Sequence, residues 1–254
     1  MESKNQEQPK QVVKYENLAE QVLQKIQAYQ QSGSLVLPEK YSAENHLKEA
    51  WLALQEVKDR NDKPALQVCT TTSIANSLLD MVLQGLSVAK KQCYFVVYGT
   101  KLTCMRSYFG TVSIAKRVGG IDKEPTANIV YENDEFEYVI NPETGYTSIL
   151  KHNQKLENID IAKIKAAYAI IKKNGETQVT IMTIAQIKKA WQQGATKGNS
   201  PAHQNFTDEM CKRTVIGRAC KMAINSSDDA WLFDGKKDEL DEDSTEEIKR
   251  EEVS

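Results

Sequence analysis

The sequence predicts an α+β fold in which antiparallel β-hairpins and a meander pack with helices, and three features point to it. Apolar residues recur at three- to four-residue spacing over residues 18–26, 42–57, 74–86 and 206–224, the period of a single buried helix face. Between these segments lie short runs rich in β-branched and aromatic residues, separated by Gly, Asn and Asp, which is the pattern of locally paired strands. Strand and helix do not alternate regularly, which argues against a doubly wound parallel sheet.

Taken in chain order, the first helix carries Leu18, Val22, Leu23 and Ile26 and ends at the Ser32-Gly33-Ser34 interruption. After Pro38, Ser42 is placed to cap a second helix bearing Leu47, Ala50, Trp51, Leu54 and Val57 on one face,. Lys63-Pro64 breaks the chain, and Thr72 or Ser73 caps a third helix with Ile74, Leu78, Leu79, Val82, Leu83 and Leu86 toward the core,. The period then becomes extended: residues 93–98 and 102–108 form a hairpin about Gly99, Thr100 and Lys101,. Gly110 opens a short helix over 111–118 that stops at Gly119-Gly120,. Residues 127–131, 136–140 and 146–151 are read as a meander,. Asn174-Gly175 joins strands 164–171 and 178–182, and this dipeptide is the strongest short hairpin signal in the chain,. Thr183 caps a helix running to Trp191, and a polar loop over 194–201 precedes the last helix, 206–224.

The chain has 254 residues, 40% hydrophobic and 27% charged, enough to bury a substantial core. No stretch approaches the roughly 18 uncharged apolar residues of a membrane span. Residues 1–14 are rich in Gln and Lys, lack the apolar core of a secretion signal and are expected to be disordered,. One main domain is expected over 15–233, in a cytoplasmic protein. The formal charge of −2 conceals an asymmetry. Residues 234–254 hold ten carboxylates against Lys236, Lys237, Lys249 and Arg250, a net −6, so residues 1–233 carry +4. This reads as a flexible acidic C-terminal tail on a basic body, either solubilising or tied to a polyanion partner.

Familiar catalytic constellations are missing. Residues 194–200 read GATKGNS, without the spacing of a phosphate-binding loop, and neither GxSxG, GxGxxG nor a kinase signature occurs,. Cys69, Cys93, Cys104, Cys211 and Cys220 lack CxxC spacing and read as buried thiols in a reducing compartment, while His46, His152 and His203 are too scattered for a zinc site,. The acids around residues 132–137 read as solvated turn residues, with Asp134, Glu135 and Glu137 as the one group that could hold Mg²⁺ for a nuclease,.

Two basic elements stand out instead. Between residues 90 and 123, Lys90, Lys91, Lys101, Arg106, Lys116, Arg117 and Lys123 interleave with Tyr94, Tyr98 and Tyr108. Period-two geometry puts Tyr94 with Tyr98 on one sheet face and Arg106 with Tyr108 on one face. Cations attract phosphate and aromatic rings stack bases, although core tyrosines and solvated lysines give the same pattern. The second element is the 206–224 helix. Val215, Ile216, Ala219, Met222 and Ala223 make an apolar face, while Arg213, Arg218 and Lys221 share an arc of about 140° on the other side. Lys212 turns toward the apolar side.

Residues 77–119, SLLDMVLQGLSVAKKQCYFVVYGTKLTCMRSYFGTVSIAKRVG, resemble the core signature of RecT-type phage single-strand annealing proteins. ANIVYENDEFEY (127–138), KHNQKLEN (151–158) and FTDEMCKRTVIGRACKM (206–222) resemble that family's later blocks in the same order. Gly217 and Cys220 stand where bulkier residues are common in the family. The resemblance covers roughly residues 50–229. It implies a core like that of Red-beta and RecT, no enzymatic activity, no required cofactor beyond Mg²⁺ assisting pairing, and ATP-independent annealing or invasion in phage recombination within a bacterial host cell. Single-stranded DNA and annealed duplex are the implied partners. A homo-oligomeric ring or helical filament, an exonuclease and a host single-strand-binding protein are implied with them. By position, DNA contact falls on Lys90, Lys91, Lys101, Arg106, Tyr108, Lys116 and Arg117 in the first block and on Lys212, Arg213, Arg218 and Lys221 in the last; Tyr94 and Tyr98 join them as stacking candidates. A metal-dependent nuclease and a non-catalytic DNA-coating protein remain the alternative readings.

Overall fold

A computed structural model describes residues 10–193 and 196–227; the acidic segment 234–254 lies outside them. The chain divides into two compact units, Met1–Ser107 and Tyr108–Ser254.

The first unit begins with α1 (Lys10–Gln31), which starts inside the stretch expected to be irregular, and α2 (Ala43–Leu54), where Ser42 accepts the Asn45 N–H as predicted. A short helix, α3 (Ala65–Val68), follows Pro64, and α4 (Thr71–Leu83) is capped by Thr70 rather than by Thr72 or Ser73. The cap falls earlier because the Thr70 hydroxyl accepts from Ser73 N–H, while its own N–H donates to Thr100 O across 3.0 Å. Strands β1 (Cys93–Tyr98) and β2 (Lys101–Arg106) form the predicted hairpin, reversed at Gly99 with φ +58°, a conformation glycine adopts without cost. Its apolar side (Cys93, Phe95, Val97, Leu102, Cys104) is buried, as are Ile74, Leu78, Met81 and Val82 of α4. Ser77 of α4 ties helix to strand through its Oγ, which donates to Leu102 O at 2.8 Å.

The second unit opens with α5 (Tyr108–Arg117). Strands β3 (Thr126–Tyr131), β6 (Ile164–Lys173) and β7 (Glu176–Thr183) make an antiparallel sheet in the order β3-β6-β7, whereas β4 (Glu135–Ile140) and β5 (Thr147–Asn153) form a separate two-stranded sheet. The expected meander is therefore corrected. The strand spans were right, but β3 pairs with β6 and not with β4. A turn does close at 131–134, where Asp134 N–H donates to Tyr131 O at 3.2 Å, but the Asp134 side chain is directed inward and β3 and β4 enter different sheets. The β6–β7 hairpin turns at Asn174 and Gly175, both with positive φ, as predicted.

Thr183 and Gln186 form a full capping box on α6 (Ile184–Trp191),. A short helix that was not expected, α7 (Pro201–Asn205), capped by Ser200, stands between the expected loop over 194–201 and the last helix, α8 (Thr207–Asn225). Helix α8 is the centre of this unit. Cys211, Thr214, Val215, Ile216, Gly217, Ala219, Cys220, Ala223 and Ile224 are all buried and lie around much of its circumference. Met222, assigned to the apolar face, is 66% exposed, which corrects that assignment; the helix packs against β6, β3, β7 and α5, so one stripe does not describe it.

At Gly119 the loop after α5 lies close against α8. A methyl group there would lie 2.6 Å from Ala115 O and 3.1 Å from Ala223 Cβ. Gly119→Ala is expected to cost about 1–3 kcal/mol through overpacking, read as a lower urea midpoint. An unchanged midpoint would show that this junction yields.

All five cysteines are buried and reduced. Burial pushes the Cys211 and Cys220 thiols up to about 12, which removes the reactive thiolate at neutral pH. An aromatic disulfide reagent should therefore leave Cys211 and Cys220 unmodified in the native protein and label both in denaturant. Rapid native labelling of either would contradict the packing around α8.

Candidate nucleic-acid interface

The β1–β2 hairpin presents its two faces unequally. Antiparallel register pairs Tyr98 with Lys101, Val96 with Thr103 and Tyr94 with Met105, while Cys93 opposes Arg106 on the other side. Tyr94 is 37% exposed, Lys101 is exposed and Tyr98 is half-buried, so one face carries two aromatic rings and a cation. The loop before β1 adds Lys90 and Lys91, both exposed. Side-chain contacts hold it besides its backbone turns: Ser87 N–H donates to Gln92 Oε1 at 3.0 Å, Lys90 N–H to Ser87 Oγ at 3.2 Å, and Ser107 Oγ–H to the Lys91 carbonyl. Lys91 itself has φ +55°, an uncommon conformation for a side-chain-bearing residue.

Arg106 is not on that face. It is 4% exposed, and its guanidinium donates to the buried Gln84 Oε1 at 3.1 Å. The expectation that Arg106 and Tyr108 share a sheet face fails because β2 ends at Arg106 and Tyr108 already starts α5. Arg106 thus joins β2 to the end of α4 in the first unit.

The second unit distributes its predicted cations over two helices. Lys116 and Arg117 are exposed in the last turn of α5, and Lys116 is ion-paired with Glu124, where the helix C-terminus also favours positive charge. On α8 only Arg218 of the predicted set is fully exposed. Arg213 and Lys221 are half-buried, and Lys212 is paired with Glu209 at 2.8 Å. The Arg213 guanidinium lies 5.7 Å from the centre of the Tyr108 ring, a cation–π distance. Tyr108 is correspondingly half-buried, and burial is the main cause that pushes its hydroxyl pKa up. The segregated basic face expected on α8 is thereby reduced to one exposed arginine beside half-buried cations.

A polar cluster in the second unit was missed. Asp134, expected to be a solvated turn residue, has a side chain with 0% exposure. Its carboxylate accepts from Tyr131 N–H at 2.9 Å, Gln154 Nε2 at 2.8 Å, Asn158 Nδ2 at 3.0 Å and His152 Nε2 at 3.3 Å. The other His152 nitrogen, Nδ1, lies 3.0 Å from the Tyr168 hydroxyl, whose oxygen also accepts from Asn128 Nδ2 at 3.3 Å. With Asp134 ionised, Nε2 carries the proton and Tyr168 donates to Nδ1. Burial alone would raise the Asp134 pKa, but the donated hydrogen bonds outweigh it and hold the carboxyl below its ordinary value of 3.8,. Phe136 stacks on Tyr168 with ring centres 5.6 Å apart, so the cluster pins the base of the β4–β5 hairpin to β6. Glu135 is engaged with Lys151. Asp134, Glu135 and Glu137 do not converge, and among the described residues no group of His, Cys, Asp or Glu is arranged to hold a metal ion.

These residues fall within sequence blocks that also match a family model. The RecT family model matches residues 44–254. The chain belongs to the RecT family. No curated protein and no solved structure gives a significant match. Membership supports a phage-type role in single-strand annealing and DNA recombination, in a family of generally non-catalytic DNA-binding proteins. The α+β architecture of small antiparallel sheets packed with helices is consistent with a RecT core. Among the described residues no helix is long and apolar enough to cross a membrane.

Proposed function

We propose that this RecT-family chain binds single-stranded DNA and anneals complementary strands without ATP, and that the exposed face of the β1–β2 hairpin is a principal contact. The observation that carries the reading, beside family membership, is the combination of Tyr94, Tyr98 and Lys101 on the more open side of the hairpin, a side buried only at its Met105 end, with Lys90 and Lys91 on the preceding loop. Lysines neutralise phosphates and release counterions, and a stacked tyrosine is worth roughly 1–3 kcal/mol per base. Neither contact reads base identity. Base edges therefore stay available to a second strand, and pairing itself supplies specificity. In the second unit, Lys116, Arg117, Arg213, Arg218 and Lys221 are a separate set of phosphate-binding candidates. Mg²⁺ assists by screening the two phosphate backbones, and no other cofactor is required. Assembly into a ring or helical filament would repeat this surface along the strand, with an exonuclease supplying single strands and a host single-strand-binding protein as a further partner.

The test mixes purified protein with a labelled strand and its complement, without nucleotide and with Mg²⁺. Duplex should accumulate faster than in buffer while both strands stay intact. Fragmentation would establish a nuclease instead, and retention of the strand without duplex formation would establish a coating protein.

A further inference from the structure

Three segments of the second unit converge where α8 ends. Ile121, just after α5, bridges Lys173 of β6, Asp122 N–H donates to Lys172 O at 2.8 Å, and Asp122 Oδ2 accepts from Gly175 N–H at 2.8 Å. Lys173 Nζ in turn donates to Ser226 Oγ at 3.0 Å, directly beyond α8. Around this junction Lys116, Arg117, Lys123 and Lys172 are exposed and Lys173 is half-buried. Of the nearby acids, Glu124 is paired with Lys116, Asp122 accepts the Gly175 N–H and Glu176 stands opposite Lys173 in the β6–β7 register, so five cations outnumber three carboxylates around the junction. A helix C-terminus accounts for Lys116 and Arg117. It does not account for Lys123, Lys172 and Lys173, which lie on a loop and a hairpin.

The chain continues from this surface into its most acidic segment. Ser226 touches Lys173, and Asp228 and Asp229 follow at once. Residues 228–254 hold twelve carboxylates against Lys236, Lys237, Lys249 and Arg250, a net −8. Twenty-seven residues of random coil have an end-to-end distance of about 30 Å, so a segment of this length tethered at Ser227 keeps its charge near the junction at roughly millimolar effective concentration,. We propose that the acidic segment 228–254 docks on the Lys123–Lys172–Lys173 surface of its own chain and competes there with the DNA backbone. The docking stands on charge and on where the segment is rooted; the competition rests in addition on the proposed single-strand binding. A self-supplied polyanion of this kind raises the threshold for capturing DNA and makes binding more selective for long strands, which contact many sites at once.

The test is zero-length carbodiimide cross-linking of the full chain, mapped by mass spectrometry, with isotopically mixed protein to separate links within and between chains. Links from carboxylates of 234–252 should concentrate on Lys123, Lys172 and Lys173 within one chain and vanish near 1 M salt, where the Debye length is about 3 Å. Links spread evenly over the lysines of both units, or confined to pairs of different chains, would overturn the docking. For the competition, replacing the carboxylates of 234–252 by Asn and Gln should tighten single-strand binding about tenfold at low salt. Unchanged affinity would overturn it. If neither protein binds a single strand, the proposed function fails, and the cross-links still decide the docking.

Discussion

Replacing Lys90, Lys91 and Lys101 together by Ala is expected to weaken single-strand binding roughly 10- to 100-fold at low salt. The slope of log affinity against log salt should become shallower by about 2, since each phosphate contact to a single strand contributes roughly 0.7. All three side chains are exposed, so the variant should keep its fold. Tyr94→Ala with Tyr98→Ala separates the two parts of the surface. Loss of stacking lowers affinity with little change in salt slope. Arg106→Ala behaves differently again, because its guanidinium is buried against Gln84. Its effect should be a lower unfolding midpoint, as the loss of a buried charged hydrogen-bonding group requires. A triple lysine variant with unaltered slope, read by fluorescence anisotropy across a salt series, would remove the hairpin from the interface.

The second large effect is expected at Asp134. Asp134→Ala removes the acceptor shared by Gln154, Asn158, His152 and the Tyr131 N–H; Gln154 and Asn158 keep the Ile129 and Asn133 carbonyls, and a penalty of about 1–3 kcal/mol follows,. The pH dependence has a definite sign. The folded carboxyl lies below its unfolded value of 3.8, so its stabilisation is complete above that value and is lost as pH falls through it toward the folded pKa. Wild-type stability should therefore drop more steeply than that of Asp134→Asn between about pH 5 and pH 3, measured by urea unfolding. Parallel curves, or an Asp134→Ala cost under about 1 kcal/mol, would show that the cluster does not hold the β4–β5 hairpin.

Much of the fold was legible because its signals are local. The Asn174-Gly175 turn, the Thr183 cap and the Ser42 cap depend on a few adjacent residues, and each appears where expected. Long-range choices were not legible. Nothing near residues 127–138 says that β3 pairs with β6, since that depends on Asp134 finding donors up to 24 residues away. The unit boundary at Ser107 and Tyr108 carries no glycine, proline or charge run, and for the same reason Tyr108 was read as strand. Arg106 illustrates the limit for sites. Alternation along 102–108 has two possible phases, and the chosen one put an arginine in solvent that the register assigns to the face of Phe95 and Cys104. The α8 cations failed differently. A helix buried on several sides has no single polar arc, so apolar content, not a helical wheel, was the informative signal. Lys172 and Lys173 went unnoticed because their neighbours at Ile121 and Ser226 are distant in sequence.

The central claim is that this chain brings complementary strands together through contacts that leave the bases free. The most direct measurement is the annealing rate of complementary oligonucleotides carrying a donor and a quencher, followed in real time without nucleotide. Wild-type protein should accelerate quenching well above the spontaneous rate, and the Lys90, Lys91 and Lys101 triple variant should lose most of that acceleration while remaining folded. A wild-type rate equal to that of buffer alone would contradict the account.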